Sequence, residues 1–130
     1  MHYVAIVTVL ALAQYFLFGA LVARARVRYG VQAPASSGHE IFERHFRVQM
    51  NTLEQLIIFL PLLWIFAHYV SPLWAAVGGV LFIVGRAVYA RSYVRNPKSR
   101  SLGFALTAIP SFTFMFAILW NAIRAIALGV

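Results

Sequence analysis

The sequence contains no cysteine, and only three of its 130 side chains are acidic: Glu40, Glu43 and Glu54. A disulfide scaffold is therefore excluded, and any thiol chemistry must use a thiol brought by a substrate or cofactor. Charge of either sign is scarce. Charged residues make up 11% of the chain, less than half the roughly 25% of an average soluble domain. Apolar residues take their place, at 62% of the chain with a mean hydropathy of +0.81. A chain this short has too little interior to hide that much apolar surface from water. An ordinary soluble globule and a disordered chain are both excluded, and the composition suits a chain whose solvent is lipid.

The few charges are one-sided. Lys plus Arg number 11, giving a formal net charge of +8 and a pI near 10.9. In a soluble protein this balance would suggest nucleic acid. Here the basic residues cluster between long apolar runs, as in the cytoplasmic loops of membrane proteins, so no nucleic-acid partner is expected.

Tyr3 to Ala23 carries no charge. As helix, these residues reach about 32 Å, enough to cross a hydrocarbon core of about 30 Å. A cleaved signal peptide is the competing reading, but it would want a basic start and a small-residue cleavage site, and neither is evident. Arg24 to Glu40 reads as a loop, with Arg24, Arg26 and Arg28 followed by the turn formers Pro34, Ser36, Ser37 and Gly38. A second helix begins at Ile41, charged at first and apolar from Leu56. Ser71-Pro72 ends it, because proline removes a donor and disfavours helix in the residue before it. A third helix, the basic turn Arg95 to Ser101 and a fourth helix kinked at Pro110 complete the chain. The expected fold is an all-α, integral membrane four-helix bundle. It forms one domain over residues 1–130, with spans at about 3–23, 46–70, 73–93 and 103–127.

Four spans put both termini on one side. Arg24, Arg26, Arg28, Arg44 and Arg47 flank the first connection, and Arg91, Arg95, Lys98 and Arg100 flank the third. The opposite side has only Arg124. The positive-inside rule places the basic connections in the cytoplasm and the termini outside. Tyr3, Tyr69, Trp74 and Trp120 fall at the other ends of the spans, as an aromatic belt would.

Ionisable groups at membrane depth are costly, and each is a functional candidate. On the second helix Arg47, Asn51 and Glu54 are spaced i, i+4, i+7, which is one stripe. On the third, Arg86, Tyr89 and Tyr93 are spaced i, i+3, i+7, again one face. The short turn between these helices makes them antiparallel neighbours, so the stripes lie at similar depth. The arginines can bind carboxylates through paired donors, Glu54 can hold an ammonium group, and Asn51 can serve an amide. A ligand with two carboxylates, an amine and peptide groups matches this set, and glutathione is such a ligand. The spacing leaves a second reading open, in which these groups form an internal ion-pair network or snorkel to the headgroups. For Arg44, Arg91, Arg95 and Lys98 the structural reading is preferred. His2, His39, His45 and His68 show no metal-ligand spacing, so no metal is expected. There is no glycine-rich phosphate loop and no Ser/His/Asp arrangement.

The segment FERHFRVQMNTLEQ, Phe42 to Gln55, resembles the signature of the MAPEG superfamily, the membrane-associated proteins in eicosanoid and glutathione metabolism. Glu43, Arg44, Arg47, Asn51 and Glu54 satisfy that pattern. A second block runs from Gly85 to Arg100, with Arg86, Tyr89 and Tyr93 spaced as Arg-x-x-Tyr-x-x-x-Tyr before the basic stretch RNPKSR. It is similar to the end of the family's third helix and its basic turn. The likeness extends to chain length, four-helix layout and loop placement. It implies a homotrimer with glutathione, as co-substrate, bound between subunits. Arg47, Asn51, Glu54, Tyr89 and Tyr93 would hold glutathione from one subunit, and Arg26 and Gln49 from its neighbour. Arg86, on the same stripe as the tyrosines, joins the expected binding set. Arg100 matches the arginine facing the glutathione sulfur in the leukotriene C4 synthase branch. A guanidinium there would favour the nucleophilic thiolate while staying protonated itself.

Gln55 stands where the leukotriene synthase branch has a tyrosine, and Val27 where it has a second arginine. The resemblance is closer to a bacterial or general microsomal-type glutathione transferase than to a dedicated eicosanoid enzyme. A bacterial inner membrane is preferred to an endoplasmic reticulum. The expected activity is addition of glutathione to lipophilic electrophiles arriving from membrane lipid, with lipid hydroperoxide reduction as a companion. Two alternatives are a glutathione-dependent isomerase of an oxygenated lipid and a non-enzymatic lipid-binding protein.

Overall fold

A computed structural model describes all 130 residues. The chain is helical throughout, with α1 at His2–Tyr29, α2 at Glu40–Tyr69, α3 at Pro72–Arg95 and α4 at Ser101–Leu128. A single 3-10 turn, Pro97–Ser99, precedes α4. Each of the four helices is long and apolar enough to cross a membrane. Large apolar side chains cover the outside: Phe16 is 83% exposed and Ile126 80%. That skin suits lipid and would be a liability in water.

The helix ends explain where the sequence reading moves. α1 does not stop at the first arginines, so the expected loop from Arg24 shrinks to Gly30–His39. Arginine is a good helix former, and cations are favoured in a last turn by the helix dipole. The chain leaves the helix at Gly30, whose φ of 68° is easy only for glycine. The Val31 N–H then bonds back to the Arg26 carbonyl at 3.0 Å. His39 caps α2, its Nδ1 accepting from the Ile41 N–H at 3.1 Å. Its ring stacks on Tyr29 at 3.9 Å, which fastens the two ends of the connection together. Ser71 caps α3 by accepting from the Trp74 N–H at 3.3 Å, with Pro72 in the first turn where a missing donor is harmless. Pro61 and Pro110 both lie inside continuous helices.

α2 and α3 form a central antiparallel pair. α1 packs against both of them, and so does α4, leaving α1 and α4 on opposite sides. At the end with the short α2–α3 turn, rings fill the interior. Phe59 stacks on Phe82 at 4.2 Å, and Phe66 on Phe114 at 4.3 Å, around the buried Leu63 and Val4. Tyr3, Tyr69, Trp74 and Trp120 are all exposed. Close approach of α3 and α4 depends on glycine. A Cβ on Gly85 would sit 2.9 Å from the α4 backbone at Leu106, and one on Gly103 would collide with the backbone of Tyr89. Gly103 thus sets the start of α4 directly against the residue that faces the polar end.

Candidate functional site

At the basic end, α2, α3 and the start of α4 spread around a cavity of about 320 Å³. Its lining includes Arg47, Asn51 and Glu54 from α2, Tyr89 and Tyr93 from α3, and Arg100 from the turn before α4. Arg47, Asn51 and Glu54 of one expected stripe and Tyr89 and Tyr93 of the other therefore face the same space, and Arg100 of the basic turn joins them. Met50 and Phe104 complete the lining. A neighbouring cavity of about 260 Å³ shares Arg47 and Met50 and extends toward Ser36, Ser37 and Glu43.

The charges in this cavity are not spent on one another. The single ion pair of the chain joins Arg44 to Glu40. Arg47, Glu54 and Arg100 are exposed and enter none. The Asn51 Oδ1 is buried without a hydrogen-bond partner. A buried amide oxygen left unpaired costs about 1–3 kcal/mol, and an internal ion-pair network would have left these groups satisfied. The tyrosine rings stack with centroids 5.6 Å apart, so both are held as one wall.

Arg86 lies beneath that wall, not in the lining. It is fully buried, donating from Nε at 3.2 Å and Nη2 at 2.8 Å to the Thr52 hydroxyl. Thr52 in turn donates to the Val48 carbonyl at 2.7 Å. The Arg86 guanidinium sits 4.3 Å from the centre of the Tyr89 ring. The geometry gives Arg86 a supporting place behind Tyr89 instead of the direct ligand contact expected from the stripe. Arg86 sits only one turn from Tyr89 on α3, but Thr52 on α2 takes up donors from two of its three nitrogens, leaving Nη1 without a partner. Thr52 escapes the pattern reading because it lies off the Arg47–Asn51–Glu54 stripe, on the buried face of α2. The available signal was its position: in an antiparallel pair turning at Ser71, it lies within about one helical turn of Arg86.

Arg26 and Gln49 are outside the cavity. Arg26 donates from Nη1 to the Ala35 carbonyl at 2.7 Å and lies over the Phe42 ring at 4.7 Å. Gln49 reaches toward Gly19 of α1, where an added Cβ would meet its Nε2 at 3.0 Å. Arg44 has a structural task. Its Nη1 donates to the Val94 carbonyl at 3.0 Å, tying the start of α2 to the end of α3.

Four apolar helices with a polar cavity let into one end define a small integral membrane protein. The chain belongs to the MAPEG family, whose profile matches residues 4–120. It is 45% identical over 121 residues to an uncharacterised protein of Synechocystis sp., covering 90% of this chain and 88% of that one. It is 37% identical over 103 residues to microsomal glutathione S-transferase 2 of Homo sapiens, covering 79% and 70%. It is 33% identical over 96 residues to leukotriene C4 synthase of Rattus norvegicus, covering 74% and 64%.

Proposed function

We propose that this protein is a membrane glutathione S-transferase that joins the glutathione sulfur to lipophilic electrophiles, and that reduces lipid hydroperoxides as a second activity. One observation carries the reading: Arg47, Asn51, Glu54, Tyr93 and Arg100 converge on one cavity with no ion pair among them. The donor set fits glutathione group by group. Arg47 suits a carboxylate, Glu54 the ammonium, and the unpartnered Asn51 Oδ1 a peptide N–H. Tyr89 and Tyr93 offer hydroxyls on apolar walls.

Arg100 lines the cavity from the turn that leads into α4. Beside the sulfur it stabilises the thiolate, while the thiol proton leaves to water. The thiolate then forms the new carbon–sulfur bond as the electrophile's leaving group departs or its ring opens. Catalysis comes from thiolate stabilisation and from holding both reactants together. The acceptor reaches the cavity from the bilayer, along apolar surface.

The working unit in this reading is a homotrimer. Arg26 and Gln49 lie outside the chain's own cavity, where a neighbour's cavity could use them. Arg47 and Glu54, exposed on a lone chain, would otherwise meet lipid at a cost. The basic end faces the cytoplasm, where glutathione is supplied, and the termini lie outside.

The test is calorimetric titration of glutathione into purified protein, with an activity panel of an aryl halide, an organic hydroperoxide and an unsaturated lipid epoxide. Glu54→Gln keeps the shape and removes the charge. Losing a hydrogen bond to a charged group costs about 1.5–3 kcal/mol, so affinity should fall at least tenfold. Unchanged affinity in the folded variant would move the site elsewhere.

A further inference from the structure

The other side of the α2–α3 pair carries a second groove. α1 and α3 wall it and α2 supplies its floor, around a cavity of about 400 Å³. Leu17, Phe18 and Leu21 of α1 face Ala87 and Val94 of α3 across Val48. The deep end is closed by Gln14, whose Nε2 donates to the Ile83 carbonyl at 2.8 Å. The shallow end is polar and basic, lined by Arg91 and Arg95 of α3 together with His45 of α2. These two arginines also line a separate cavity of about 360 Å³, together with Ser92, Asn96 and Ser99 and no apolar residue. An apolar slot and a polar basin therefore meet at two shared arginines.

Neither arginine has a carboxylate partner. Glu40 is paired with Arg44, Glu43 accepts from the Gly38 N–H, and Glu54 lines the opposite cavity. Both arginines are exposed at the end of a membrane-length helix. The occupant must satisfy both halves. A small anion would leave the slot unfilled, and a neutral lipid would leave the cations unpaired. From Gln14 to Leu21 the slot runs about 10 Å along the bundle, which suits the upper part of one acyl chain.

We propose that this groove is a binding site for an anionic phospholipid, with one acyl chain in the slot and its phosphate on Arg91 and Arg95. Guanidinium groups match phosphate oxygens in charge and geometry, and basic groups beside a bilayer favour anionic lipid. The site is separate from the glutathione cavity and does not depend on that assignment.

The experiment equilibrates purified protein in bilayer discs holding equal phosphatidylglycerol and phosphatidylcholine, then counts the lipids retained after detergent extraction. Wild type should retain phosphatidylglycerol in clear excess. Arg91→Gln with Arg95→Gln should lower that excess about thirtyfold, the scale of two basic contacts with anionic lipid. Ala87→Trp fills the slot at an exposed position while keeping both charges, and should lower it as well. Circular dichroism confirms that each variant is helical. Equal retention of the two lipids by wild type overturns the proposal. An excess that survives Ala87→Trp also overturns it, since headgroup attraction alone would then suffice. Displacement of the lipid by inorganic phosphate at equal concentration would reveal a free-anion site instead.

Discussion

Around Phe59 the α2–α3 pair is filled ring against ring, with Phe82 at 4.2 Å and Phe114 at 5.8 Å. Two turns further along α2, around Asn51, the same pair of helices opens into a cavity whose charged groups have no partners in the chain. The helices continue unbroken from one region to the other, so a break in secondary structure does not make the difference. The packed end uses apolar volume to fix how the helices cross. The open end uses that fixed geometry to hold polar groups apart, which they would not tolerate on a loose scaffold. Stability and chemistry are thus divided along the bundle, and variants at the two ends should separate them.

The largest effect belongs to the packed end. Phe59→Ala removes a fully buried ring that touches two others. Such truncations cost about 3–5 kcal/mol. Denaturation in detergent should show that loss, while glutathione affinity of the remaining folded protein changes less than twofold. An affinity loss as large as the stability loss would show that the two ends are not separable. Arg100→Ala should do the reverse. The side chain is exposed and makes no bond within the chain, so its removal leaves the denaturation midpoint in place. Turnover at neutral pH should fall about tenfold to a hundredfold, equivalent to about 1.4–2.7 kcal/mol of transition-state stabilisation. The thiolate absorbance of bound glutathione should weaken with it. Unchanged turnover would remove Arg100 from the chemistry.

This division also explains how much the sequence disclosed. Four spans, the break at Ser71-Pro72 and the shared face of Arg47, Asn51 and Glu54 follow from hydropathy and helical period, which are local properties. The end of α1 did not follow, because arginine marks where lipid stops and not where helix stops. Gly30 carried the stop signal. The cavity wall was legible as far as Tyr89 and Tyr93, since both lie on one stripe. The place of Arg86 was not, because a stripe gives direction around a helix and not what the neighbouring helix offers. Gly103 was equally silent: its close fit against Tyr89 depends on where α4 crosses α3.

The boundary between the two regions is the Thr52–Arg86 contact, and it provides the finest comparison. Thr52→Val keeps the shape of the packed interior but removes the acceptor for two Arg86 donors. Arg86 already has Nη1 without a partner, so the variant leaves a buried cation held chiefly by the Tyr89 ring. A loss of about 1–3 kcal/mol in stability is expected. If Arg86 only cements the helices, the cost ends there, and Arg86→Leu in the Thr52→Val background recovers much of it, since an apolar pair replaces an unsatisfied one. If Arg86 also orients Tyr89, the double variant recovers stability but not function, and glutathione affinity stays reduced by about twofold to fivefold. The split between the two measurements is the informative quantity. Joint recovery would assign Arg86 wholly to the packed region, and a persistent affinity defect would place the edge of the functional region one layer beneath the tyrosine wall.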